Sequence, residues 1–243
     1  MNVRWLPLGR GVSIAVSKQH GFGTDAVLLA YFSRPASRAE RVCDLGTGCG
    51  ILPFLWLRDN LAEQITGVEL QKEAVLLAET TAERNGFSDR VQFSCADLRD
   101  WAPTRQGQFD RVTCNPPYFR PQSGRLPRSD AAKTARQELM CDLNDVFLAA
   151  SLLLCGSGCF CCCHRPSERE RLLSAGHAHG FAPVRLITVR QRETTRPFLL
   201  LAEMHPVKAH ISPCFEEEWV LETDGAPSAL YRELYPLCEE ETL

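Results

Sequence analysis

The 243-residue sequence has no run approaching the roughly 18 to 20 consecutive apolar residues that a membrane-spanning helix needs. Its amino end, MNVRWLPLGRGVSIAVSK, also lacks the charged-then-apolar layout of a secretory signal. These two absences make a cytoplasmic protein without membrane attachment the expectation. No internal repeat and no low-complexity linker divides the chain, so one large domain or a domain and a half is expected.

Cysteine is plentiful, at twelve, but a metal framework is missing. The cluster CFCCCH, Cys159 to His164, has no companion CxxC or HxxxH pair, and neighbouring residues on a strand point to opposite faces. Cys43, Cys95, Cys114 and Cys155 lie in apolar strand-like runs. Without an export signal, all of these read as reduced thiols acting as small hydrophobes, and no metal is expected. A strong net charge is missing too, at −3, yet nine acidic residues and one Arg from Cys214 onward give that segment −8. Residues 1–213 therefore carry −3 + 8 = +5, a basic body with an acidic tail.

What is present is a β-α-β-α rhythm. Strand-like runs are Arg41–Leu45, Ile65–Leu70, Val91–Ala96, Phe109–Cys114, Gly158–Cys163, Val184–Val189 and Phe198–Met204. Helical spacing covers Ile51–Leu61, Lys72–Asn85, Asp142–Leu154 and Pro166–His179. Val3–Val16 reads as a hairpin, and Thr24–Phe32 as a helix capped by Thr24. The pattern predicts an α/β fold, a seven-stranded, mostly parallel sheet with helices on both faces, which binds ligands at the carboxyl ends of its strands.

The first such strand runs into CDLGTGCG, Cys43 to Gly50. Gly46, Gly48 and Gly50 allow a sharp turn and close approach to a ligand. The spacing is not the G-x-G-x-x-G of a dinucleotide site, and Asp44 before it suits a cationic group better than a pyrophosphate. Glu69 ends the second strand, where a carboxylate accepts both ribose hydroxyls; Asp97 ends the third, suited to an adenine amino group. Each has a plainer reading: Asp44 as a helix cap, Glu69 as a solvated strand end, Asp97 as the cap of a short turn. Their order and strand-end placement together describe a nucleoside with a cationic arm, S-adenosylmethionine.

The fourth strand ends in TCNPPYF, Thr113 to Phe119. Methyl transfer to an exocyclic amine requires a nitrogen lone pair localised away from its ring. The side-chain oxygen of Asn115 and the carbonyl of Pro116 can accept the two N–H groups, with Pro116 and Pro117 fixing the backbone and Tyr118 offering a face for a planar substrate.

With these motifs in place, the chain resembles class I (Rossmann-like) S-adenosylmethionine-dependent methyltransferases of the N6-adenine and glutamine amino type, marked by [N/D]-P-P-[F/Y]. GFGTDAVLLA at Gly21–Ala30, CDLGTGCGIL, NPPYF and PSALYRELYPL at Pro227–Leu237 resemble more narrowly the bacterial tRNA(Val) adenine-37 N6-methyltransferase family. The resemblance implies a cofactor set of Thr24, Asp25, Asp44, Gly46, Gly48, Gly50, Glu69, Leu70, Asp97 and Leu98, with Thr24 and Asp25 near the methionine end. It also implies a hairpin-and-helix lead at 1–40, the methyltransferase domain at 41–213, and an acidic extension, 214–243, packed as part of that domain. Gln137 stands where many relatives have His.

Between these regions Arg120, Arg125, Arg128, Lys133 and Arg136 face one Asp130, and such a loop beside the catalytic rim can contact tRNA phosphates. A solvated loop is the alternative. Other readings are a release-factor glutamine methyltransferase, whose usual helical domain has little room in about 40 leading residues, DNA adenine or rRNA guanine methylation, and a non-catalytic RNA-binding protein of this fold.

Overall fold

The computed structural model describes residues 2–116, 141–207 and 213–235. Pro117, Tyr118, Arg120, Arg125, Arg128, Lys133, Arg136 and Gln137 lie outside the described residues.

The chain opens with a hairpin of β1 (Arg4–Gly9) and β2 (Val12–Val16). It continues through α1 (Thr24–Phe32), β3 (Arg41–Leu45), α2 (Ile51–Arg58), β4 (Gln64–Glu69), α3 (Lys72–Asn85), β5 (Val91–Cys95), the single turn α4 (Leu98–Trp101) and β6 (Phe109–Cys114). After the undescribed stretch come α5 (Leu143–Leu153), β7 (Leu154–His164), α6 (Arg169–Ala178), β8 (Phe181–Arg192), β9 (Leu199–Pro206), β10 (Phe215–Thr223), β11 (Ala226–Pro227) and α7 (Ala229–Leu234).

Strands β3 to β11 form one sheet in the order β11-β10-β8-β9-β7-β6-β3-β4-β5. The sheet thus has nine strands rather than the seven expected. The additional two are β10 and β11, in the acidic segment, where FEEEWVLET lacks an apolar run. That strand is held by parallel pairing with β8 and by side-chain ion pairs: Glu216 with Arg169, Glu218 with Arg190, and Glu222 with Arg192. Glu233 adds a fourth such pair, with Arg34, while Glu217 and Asp224 lie exposed.

Helices cover both faces, as an alternating sheet requires. The hairpin, α1, α2, α3 and α7 share one core, while α5 and α6 build the other against β6 and β7. Strand β7 shows the alternation directly: Cys159, Cys161 and Cys163 enter the first core, Phe160 and Cys162 the second. The free edge of β2 is satisfied by α3, with Ala15 N donating to Thr81 Oγ1 (2.9 Å) and Ser13 N to Asn85 Oδ1 (3.0 Å).

Two local expectations are corrected. Thr24 does not cap α1; the cap is Gly23, without a side-chain bond, and Asp25 Oδ1 accepts instead from Ala26 N. Helix α2 stops at Arg58 rather than Leu61, because Asn60 takes a left-handed φ of 56° and Leu61 N turns back to Trp56 O. No helix of the described residues is long and apolar enough to cross a membrane.

Candidate active site

Strands β3, β4, β5 and β6 run parallel, so their carboxyl ends share one edge. The chain steps outward from β3 to β4 and β5, then returns to β6 on the other side of β3. This is the reversal at which an open α/β sheet leaves a crevice. Asp44, Glu69 and Asn115 stand at or next to these strand ends, and Asp97 two residues beyond β5.

The loop after β3 is fastened to β4: Gly46 N and Thr47 N both donate to Val68 O, at 2.8 and 3.1 Å. Gly67 makes room for it, since a Cβ there would sit 2.8 Å from Thr47 Cγ2 and 2.6 Å from Phe93 Cδ1. Gly50, with φ 85°, opens α2; a Cβ at that position would meet the Phe54 ring at 2.7 Å. Gly46 and Gly48 border the crevice, whereas Gly50 serves the packing beneath it.

Asp44 is buried, and its Oδ1 accepts from Thr113 Oγ1 at 2.7 Å across the β3–β6 register pair. Oδ2 has no partner, and neither has the buried hydroxyl of Thr47. Burial pushes the Asp44 carboxyl up to about 7, aided by the nearby Glu69 charge and opposed by the Thr113 bond and by the Thr47 hydroxyl, which lies beside the carboxylate without hydrogen-bond geometry. Glu69, 7% exposed, accepts from Gly48 N at 3.0 Å and from Gln71 N at 2.9 Å, which ties the glycine loop to the end of β4.

Asp97 caps α4 and accepts from Arg99 N at 2.9 Å, while the Arg99 guanidinium reaches both its oxygens. That guanidinium holds the carboxyl below its usual range. The plainer reading of Asp97, a turn cap, is therefore realised, at a position that also borders the crevice.

Two adjoining cavities occupy the crevice. One, of about 490 Å³, is bordered by Gly46, Gly48, Glu69, Leu70, Asp97, Leu98 and Asn115. The other, of about 430 Å³, is bordered by Asp25, Asp44, Thr47 and again Asn115. Asn115 is half-buried and borders both, and the next residue, Pro116, is buried and borders neither. Thr24 is exposed and borders neither cavity. Pro117, Tyr118 and the five basic loop residues belong to the undescribed stretch.

At the other end of the sheet, ligand-type atoms of Cys159, Glu203 and His205 lie within 4.8 Å of one another. Glu203 accepts there from Arg185 and pairs with His205, and Arg111 reaches the Cys161 sulfur, so two guanidiniums flank the group.

Residues 17–138 match the family model described as Methyltransferase small domain. The chain belongs to that family. A Proteus mirabilis protein named tRNA1(Val) (adenine(37)-N6)-methyltransferase is 26% identical over 202 residues, covering 82% of this chain and 79% of that protein. A Serratia proteamaculans protein of the same name is 31% identical over 175 residues, covering 71% of this chain and 66% of its own length. Among solved structures, a predicted O-methyltransferase from Agrobacterium tumefaciens superposes with a TM-score of 0.67 at 20% identity, covering 88% and 96% of the two chains. That likeness establishes a shared Rossmann-like fold.

Several residues of this methyltransferase small domain crevice carried no sequence signal. Thr113 and Gln71 owe their roles to strand register and backbone geometry, and Gln19 and His20, in the stretch between β2 and α1, border the crevice as well. Arg99 does have a sequence cue, since an Arg two residues after a capping Asp can fold back onto it.

Proposed function

We propose that this protein transfers a methyl group from S-adenosylmethionine to the exocyclic N6 amine of an adenine in tRNA, adenine-37 of valine tRNA. The observation that carries the reading is the row of strand-end groups around one crevice: Asp44, Glu69 and Asp97 on one side of the switch point and Asn115 on the other. The names of the Proteus and Serratia relatives supply the acceptor.

The residues present fit the cofactor. A buried carboxylate with one unpartnered oxygen, beside an unpartnered hydroxyl, is a receptor for a positively charged or amine-bearing group. Asp44 and Thr47 therefore take the methionine arm, with Asp25 near it. The backbone of Gly46 and Gly48 cradles the arm, and Glu69 accepts from the ribose hydroxyls with the lone pairs left beside Gly48 and Gln71. Asp97 accepts from the adenine amino group beside its Arg99 contacts, and Leu70 and Leu98 flank the purine. When bound, S-adenosylmethionine supplies a methyl group activated by its sulfonium.

Asn115 Oδ1 and the Pro116 carbonyl accept the two N–H groups of the target amine, which concentrates its lone pair on nitrogen. No strong base is needed, because the nitrogen loses its proton to solvent after it has been alkylated. Pro117 stiffens the turn, Tyr118 stacks the unpaired base, and Arg120, Arg125, Arg128, Lys133 and Arg136 contact RNA phosphates.

Incubation of the protein with labelled S-adenosylmethionine, unmodified tRNA and a release-factor protein in parallel tests the acceptor class. Label in tRNA is expected. Label in the release factor alone would move the reading to a glutamine methyltransferase.

A further inference from the structure

The acceptor residue Asn115 is itself held by a neighbour outside the NPPY motif. Cys114 pairs with Cys162 across β6 and β7, so Asn115, the first residue beyond β6, comes level with Cys163. The Cys163 thiol donates to Asn115 Oδ1 over 3.1 Å. Cys163 is fully buried, on the face of β7 that carries Cys159 and Cys161 into the first core, and its partner on the other flank is the buried Leu201. A half-buried amide at the mouth of a cavity would otherwise rotate between two orientations that exchange its oxygen and nitrogen.

We propose that Cys163 is a positioning residue, whose S–H bond locks the Asn115 amide with its oxygen toward β7 and leaves the second lone pair for the target amine. The inference rests on the assignment of Asn115 as an acceptor for that amine. Sulfur suits the task because its S–H is a weak donor. It fixes the orientation of the amide while withdrawing little electron density from the oxygen, and within an apolar core a thiol costs less to bury than a hydroxyl. The effect belongs to the transition state, where positive charge develops on the nitrogen and the hydrogen bonds donated by its N–H groups are strongest. It should therefore fall on kcat rather than on binding.

The test is steady-state kinetics of the full-length protein with tRNA and S-adenosylmethionine. Cys163→Ala should lower kcat about tenfold, a loss typical of one orienting hydrogen bond, with KM for tRNA and the cofactor dissociation constant within about twofold of the parent. Cys163→Ser, which keeps a donor, should stay within about threefold of the parent kcat.

An unchanged kcat in Cys163→Ala beside an inactive Asn115→Ala would overturn the positioning role and leave the proposed function standing. Equal losses of kcat in Cys163→Ala and Cys163→Ser, accompanied by a raised KM and a lowered thermal stability, would also overturn it in favour of a packing role. Full activity in Asn115→Ala would instead remove the reading on which the inference rests.

Discussion

Thr113 donates its hydroxyl hydrogen to Asp44 Oδ1 at 2.7 Å, and the other carboxylate oxygen is left buried without a partner. One threonine on a neighbouring strand thus fixes the carboxylate in place without satisfying it. Asp44 also borders the cavity lined by Gly46, Thr47 and Gly48, which suits it as the proposed receptor for the cofactor's cationic arm.

Cofactor affinity should depend on pH through Asp44. With the carboxyl at about 7 in the free protein, a cation has to recruit the ionised form, so binding releases a proton below neutrality. Affinity should rise about fivefold between pH 6 and pH 7, following the ionised fraction. Calorimetric titration in two buffers of different ionisation enthalpy measures both the affinity and the proton. An affinity flat across this range would remove Asp44 from the role.

The same carboxyl makes the free protein less stable as pH rises. A folded-state value near 7 lies above the ordinary value of about 3.9. Its stability contribution is therefore complete below about pH 4 and is lost as pH climbs through 7. The size is on the order of 4 kcal/mol from about three pH units. Denaturant unfolding of Asp44→Asn should lack this decline, closing the gap on or passing the parent at pH 8 while binding cofactor poorly. Parallel pH profiles for the two proteins would contradict the account.

Glu69→Ala removes the acceptor for Gly48 N and Gln71 N together with the proposed ribose contact. The cofactor dissociation constant should rise at least about tenfold, as for loss of a charged hydrogen-bond partner. The rate at saturating cofactor should change little. An unaltered dissociation constant would refute the ribose assignment.

Thr81→Ala strips the acceptor from the buried Ala15 N–H, and thus loosens the hairpin from α3. A loss of about 1–3 kcal/mol of unfolding free energy is expected for a buried donor left unsatisfied. Thr81→Ser should retain most of it. Chemical denaturation of the two variants decides, and equal stability of Thr81→Ala and the parent would show that the edge of β2 needs no such partner.

Much of the site was legible because its groups sit at strand ends, and strand ends follow from short apolar runs closed by turn residues. The predicted bounds of β3, β6 and α3 coincide with those observed. Strand β10 was not legible: with Glu216, Glu217 and Glu218 in succession it resembles a solvated tail, and only pairing with β8 and its arginines makes it a strand. The Thr113–Asp44 and Cys163–Asn115 bonds were hidden for a related reason. Each joins strands 48 to 69 residues apart, and the register that aligns them depends on the whole sheet. Asp97 was legible as both a cap and a crevice residue, and the structure shows one carboxylate in both positions.

The most direct measurement is nucleoside-resolved mass spectrometry of valine tRNA, prepared without modifications and incubated with the protein and S-adenosylmethionine. The account predicts N6-methyladenosine at position 37, absent when Asn115→Ala replaces the parent protein. An unmodified adenine-37, from a protein that demonstrably binds the cofactor, would contradict it.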